Sequence, residues 1–139
     1  MSMNPQEAII RTVLEHCPDV QAIYLFGSFG TEDEWPDSDV DIAMLLPPKE
    51  AKKAGLLAMS ALQRALEKLL KREIDLINLR QVPTVLQKEV IAADRRIYDG
   101  DRIAAEEFEM LTLSLYQKLN EERAEIIASA LTDGRFHDI

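Results

Sequence analysis

The chain has 139 residues, 47% of them hydrophobic, and a formal net charge of −9. That length and apolar content suit one ordinary domain with a real core and exclude a disordered or fibrous chain. With 25 acidic against 16 basic side chains the surface repels phosphate backbones, so no direct nucleic-acid binding is expected, although carboxylates gathered at one point attract divalent cations.

Asn4-Pro5-Gln6-Glu7 reads as a helix start: a capping side chain, proline at the first helical position, and a glutamate able to reach back. The helix is expected to run to about His16 and to end at Pro18. Ala22–Phe26 is a short apolar run stopped by Gly27, which suits a buried strand. Residues 29–38 are polar and read as a loop with room for one helical turn. A second strand is predicted over Val40–Leu46, closed by Pro47-Pro48. Lys49–Arg72 carries Met59, Leu62, Leu66, Leu69 and Leu70 at helical spacing, which predicts one amphipathic helix of about five turns. A third strand, Glu73–Leu79, alternates Ile74 and Leu76 with Asp75 and Ile77. Pro83 opens a further helix to about Ala93, and Arg96-Ile97-Tyr98 suits a short edge strand before Gly100. From Asp101 to about Leu131 one long helix is expected. Its stripe of Phe108, Leu111, Leu115, Leu119 and Ile126 reads mostly as core, with part left over for a partner. This order implies an α+β fold, a small mixed β-sheet with flanking helices. One domain is expected over 1–139, its core at about 20–100 and its C-terminal helix at about 101–131.

Two carboxylates, Asp39 and Asp41, open the otherwise apolar second strand. Residues i and i+2 of a strand share a face, so both point one way while Val40 points the other. Like charges this close repel, and a cation between them relieves the repulsion; hard oxygen donors suit Mg²⁺ or Mn²⁺. Asp75 repeats the pattern inside Ile74-Asp75-Leu76-Ile77, and a charge is rarely buried without a partner. If the second and third strands are neighbours, all three carboxylates meet. Each feature alone has a plainer explanation. Pro36-Asp37-Ser38-Asp39 is turn chemistry, and a strand-end aspartate such as Asp75 can accept backbone hydrogen bonds. Gly27-Ser28 directly follows a buried strand, where glycine permits close backbone approach and successive N–H groups with a hydroxyl can cradle phosphate. It too is an ordinary turn when taken alone. Together the features favour a metal and phosphate site.

Gly27-Ser28, ten intervening residues, then Asp39-Val40-Asp41, with Asp75 on a later strand, resembles the nucleotidyltransferase superfamily of polymerase-beta type. The frames Ile23-Tyr24-Leu25-Phe26-Gly27-Ser28 and Ser38-Asp39-Val40-Asp41-Ile42-Ala43 are similar to its minimal, standalone branch. Tyr116-Gln117-Lys118-Leu119 through Glu122-Arg123 resembles the tail of antitoxin members that pair with HEPN-type ribonuclease toxins. The resemblance implies two Mg²⁺ ions and ATP as substrate. Asp39 and Asp41 would bind both ions; Asp75 would bind one and help deprotonate the attacking hydroxyl. Gly27 and Ser28 would hold the β- and γ-phosphates. It further implies transfer of AMP to a tyrosine of a cognate HEPN toxin, which neutralises that toxin. The chain departs from many relatives by carrying Phe29 where they have a basic residue, followed by Gly30-Thr31 and the acidic Glu32-Asp33-Glu34. That loop offers a triphosphate no positive side chain. Two rival readings stay open: an antitoxin acting by binding alone with a relict site, and a small-molecule transferase of the aminoglycoside-modifying kind.

Other residues have plainer expectations. Trp35 is expected to pack down its own loop rather than stack on a base. Cys17, the single cysteine, excludes an intrachain disulfide and reads as a small apolar filler. His16 and His137 lack metal-ligand spacing. Lys68, Lys71 and Arg72 suit a helix C-terminus, and Arg95 and Arg96 lie within reach of a nucleotide with no fixed direction. No run is long and apolar enough for a bilayer, and Met1-Ser2-Met3-Asn4-Pro5 shows no secretory signal, so a cytoplasmic setting is expected.

Overall fold

In the computed structural model, which describes residues 4–35, 38–55, 57 and 60–133 (the last three as backbone only), four strands form one mixed sheet. They are β1 (Ala22–Phe26), β2 (Val40–Leu45), β3 (Ile74–Asn78) and β4 (Arg96–Asp99), in the order β3-β2-β1-β4. β1 lies antiparallel to β2 and β4, while β2 and β3 run parallel. Around the sheet stand α1 (Pro5–His16), α2 (Pro48–Ala54), α3 (Ala61–Leu70), α4 (Thr84–Ala92) and α5 (Arg102–Asp133). This is the α+β architecture that the element order implied. Met59, Pro36, Asp37 and His137 lie outside the described residues. No described helix is long and apolar enough to cross a membrane.

The start of α1 follows its sequence signal. The Asn4 side chain accepts from the Glu7 N–H at 2.8 Å, Pro5 occupies the first turn, and Ile9 and Val13 face the sheet fully buried. The predicted helix over Lys49–Arg72 is instead two. α2 stops at Gly55, whose φ of +56° suits a residue without Cβ, and α3 restarts at Ser60, whose hydroxyl accepts from the Gln63 N–H at 3.1 Å. Leucine spacing could not report the break, because Leu62, Leu66, Leu69 and Leu70 all lie in α3 beyond it, while α2 buries only Ala51. Leu62 and Leu66 are buried while Leu69 is largely exposed, so the buried stripe is narrower than expected.

Both sheet faces are covered, which is why β1 and β2 read as continuous apolar runs. On one face Ile23, Leu25, Val40, Ile42 and Met44 pack with Ile9 and Val13 of α1 and Leu62 and Leu66 of α3. On the other, Ala22, Tyr24, Ala43 and Leu45 pack with Val90 of α4 and Ala105 and Phe108 of α5.

α5 corrects a second expectation. Among its described side chains the buried ones are Ala105, Phe108 and Thr112, whereas Leu111 is 60% and Ile126 69% exposed, and Leu115 and Leu119 are exposed as well. A helix of 32 residues spans about 48 Å, far longer than five-residue strands can cover. Residues 117–129 are exposed throughout. Most of the predicted stripe is therefore surface.

Candidate active site

Parallel pairing of β2 with β3 sets Asp41 opposite Asp75 and Val40 opposite Ile74. Register partners project to the same side, so both carboxylates lie on the face that carries Ala43 and Leu45 further along β2. Asp39 stands just ahead of β2, two residues before Asp41. Asp41 is half-buried; Asp39 and Asp75 are exposed. Burial, then the charge of Asp75, then that of Asp39 push the Asp41 carboxyl up to about 6. The three predicted residues thus share one electrostatic neighbourhood.

As the side chains stand, no three His, Cys, Asp or Glu among the described residues converge to hold a metal ion. The donor chemistry nonetheless fits Mg²⁺. These are hard carboxylate oxygens, and a divalent cation relieves both the burial of the Asp41 charge and its repulsion by Asp75 and Asp39.

Gly27 follows β1 at its Asp41 end, since Phe26 pairs with Asp41. Its φ is +77°, and a Cβ built there would stand 3.0 Å from Asp41 Cγ and collide with Oδ2. Glycine is thus required for backbone conformation and for close approach to a carboxylate. The Ser28 carbonyl accepts from the Thr31 N–H at 3.0 Å and from its hydroxyl at 2.6 Å, closing a turn beside the aspartates.

The loop that lacks a basic residue in sequence has two arginines against it in space. Phe29 is buried, and the Arg72 guanidinium lies 5.1 Å from its ring centroid. Arg72 also pairs with Glu34 at 2.8 Å, and Glu34 accepts the Gly30 N–H. That backbone hydrogen bond, followed by Arg72, holds the Glu34 carboxyl below its usual range. Arg95 donates to the Gly27 carbonyl at 3.2 Å and to that of Phe29. Sequence reasoning missed both roles. The partners stand 66 and 68 positions from Arg95 and 38 from Arg72, and no local pattern signals them.

A family model described as polymerase beta, nucleotidyltransferase, matches residues 8–103, more than half of the chain. The chain belongs to the polymerase beta nucleotidyltransferase family. The nucleotidyltransferase is 32% identical over 128 residues to the protein adenylyltransferase MntA of Shewanella oneidensis, covering 92% of this chain and 88% of MntA. It resembles a solved toxin–antitoxin structure with AMP-PNP, with a TM-score of 0.71 and 32% identity over 91% of this chain and 98% of that one. It also resembles a chain in the structure of tri-AMPylated Shewanella oneidensis HEPN toxin in complex with MNT antitoxin, with a TM-score of 0.65 and 30% identity. There the match covers 91% of this chain and 96% of the other.

The remaining expectations fare unevenly in the nucleotidyltransferase. Trp35 does not pack down its loop: it is 74% exposed, with its backbone N–H donating to Ser38 Oγ. Arg96 turns away from the turn and pairs with Glu109 of α5 at 2.6 Å, where the Tyr24 hydroxyl also donates at 2.8 Å. Cys17 packs half-buried against the α1 and α3 core, and burial pushes its thiol up. His16 bonds back to the Thr12 carbonyl of its own helix.

Proposed function

We propose that this nucleotidyltransferase moves AMP from ATP onto a tyrosine hydroxyl of a cognate HEPN-type toxin and so neutralises it. The observation that carries the reading is the pairing of Asp41 with Asp75 beside Gly27, in a chain that matches a protein adenylyltransferase over 92% of its length. The structural relatives, a toxin–antitoxin structure with AMP-PNP and a tri-AMPylated toxin in complex with its antitoxin, support ATP as substrate and the toxin as acceptor. A cytoplasmic setting, where ATP and Mg²⁺ are both available, belongs to the same reading.

In this reading Asp39 and Asp41 hold two Mg²⁺ ions and Asp75 holds one of them. Bound there, Mg²⁺ supplies charge neutralisation on the phosphates and aligns attacking and leaving oxygens. Asp75 lies on the edge strand β3 and is exposed, so a partner's side chain can approach it. It takes the proton of the incoming hydroxyl. That oxygen bonds to the α-phosphorus, the bond to the bridging oxygen breaks, and pyrophosphate leaves from Gly27 and Ser28. The exposed Leu111, Leu115, Leu119 and Ile126 of α5 offer an apolar surface for the toxin to cover.

The test uses purified protein with Mg²⁺, labelled ATP and the toxin. The toxin should gain label, and Asp39→Asn/Asp41→Asn should abolish it. Labelling that survives the double substitution would remove the proposed site. A double variant that still neutralises the toxin without labelling it would favour inhibition by binding alone.

A further inference from the structure

We infer that Arg95 is a positioning residue for the triphosphate, a clamp behind the Gly27–Phe29 turn that aims the Ser28 N–H at the carboxylate side of the sheet. This rests on the reading that Gly27 and Ser28 hold phosphates. Arg96 pairs with Tyr24 and turns to Glu109 on the α5 face. Its neighbour Arg95 also borders the cleft beside Glu109, while its guanidinium, bonded to the Phe29 carbonyl, lines a cavity shared with Leu25, Phe29 and Arg72 on the α1 and α3 side. Asp41 and Asp75 lie on the opposite face. The clamp and the carboxylates therefore flank the turn from two sides.

The direction of the Ser28 N–H follows from peptide geometry. No described peptide bond is cis, and across a trans peptide C=O and N–H point in opposite directions. With the Gly27 carbonyl drawn back to Arg95 at 3.2 Å, the Ser28 N–H is turned away from Arg95 and toward the aspartates. A second bond from the same guanidinium, to the Phe29 carbonyl, fixes the rotation of the turn at both ends. A planar fork can hold two acceptors at once in this way; a lysine ammonium cannot impose the same geometry. The positive charge also polarises the peptide, which strengthens its N–H as a donor.

This accounts for the departure after Ser28. Where a basic side chain is expected, Phe29 is buried in the core and anchors the turn. Positive charge reaches the turn instead from Arg95, just ahead of β4, through the backbone. Arg72, by pairing with Glu34, steadies the far arm of the same loop.

The experiment titrates the full chain with Mg²⁺ and AMP-PNP, following affinity and the Ser28 amide signal by NMR. Wild-type protein that binds no nucleotide would overturn the site reading itself, before any variant is made. With binding established, Arg95→Ala should weaken AMP-PNP about tenfold and abolish the Ser28 amide shift, while the Asp41 and Asp75 signals still respond to Mg²⁺. In steady state its KM for ATP should rise with little change in kcat. Unchanged AMP-PNP affinity in a folded Arg95→Ala protein would overturn the inference. If that variant does not fold, Arg95→Lys decides, because it keeps the charge and loses the fork: weakened binding supports the clamp, and wild-type binding overturns it.

Discussion

The carboxylate of Asp41 occupies the space that a side chain at Gly27 would fill, a Cβ there standing 3.0 Å from Asp41 Cγ. The turn and the carboxylate are consequently in close contact. Gly27→Ala places a Cβ at a φ of +77° and against a charged group. It should cost about 1–3 kcal/mol in denaturant unfolding and slow toxin labelling at least about tenfold. A variant that kept full labelling would show that the close approach is dispensable.

Asp41 makes the ion-free protein sensitive to pH. Its carboxyl is raised from 3.8 to about 6 by burial and by Asp75 and Asp39. An acid whose folded pKa lies above its unfolded value favours the fold when protonated. That contribution is full below the unfolded pKa and is lost as pH rises through about 6. Without Mg²⁺, Asp41→Asn should therefore be more stable than wild type near neutral pH, by on the order of 1 kcal/mol after solvent screening. The gain should vanish below about pH 4. Thermal melts across pH, with and without Mg²⁺, read both this and the loss of Mg²⁺-dependent stabilisation in the variant.

Transfer itself should show the same titration from the other side. Metal binding needs Asp41 ionised, so labelling at fixed Mg²⁺ should fall as pH drops through about 6, and added Mg²⁺ should move that fall to lower pH. A profile insensitive to Mg²⁺ would separate the limb from Asp41.

Asp75 on the edge strand is assigned the proton. Asp75→Asn should lower kcat about 100-fold or more, with a smaller change in ATP affinity because Asp39 and Asp41 remain. Lost ATP affinity with kcat unchanged would assign Asp75 to nucleotide binding alone.

On α5 the two apolar faces should behave differently. Leu111→Glu with Leu115→Glu changes exposed positions and should leave stability within about 0.5 kcal/mol, yet prevent co-purification with the toxin. Phe108→Ala, in the core, should cost about 3–5 kcal/mol. A toxin complex that survives the double leucine substitution would place the docking surface elsewhere.

Over Lys49–Arg72 and along α5, apolar spacing predicts more continuous burial than the fold delivers, for one physical cause. Periodicity reports which side chains share a helix face, not whether the helix continues or whether anything covers that face. Gly55 and Ser60 were the local signals for the break, a positive-φ stop and a capping hydroxyl. For Leu111 and Leu115 no local signal existed, since their exposure depends on how short the sheet is beside a long helix.

From its residues alone this chain specified four strands, the Asn4 cap of α1, and the glycine that ends β1. These depend on neighbours a few positions apart, where backbone geometry acts directly. Tertiary packing decided what distant segments do to one another: that β3 lies parallel to β2 with Asp75 at the level of Asp41, and that Arg95 grips a turn 66 residues away. Such meetings are set by how the sheet closes and which faces are buried, and no stretch of chain carries that information by itself.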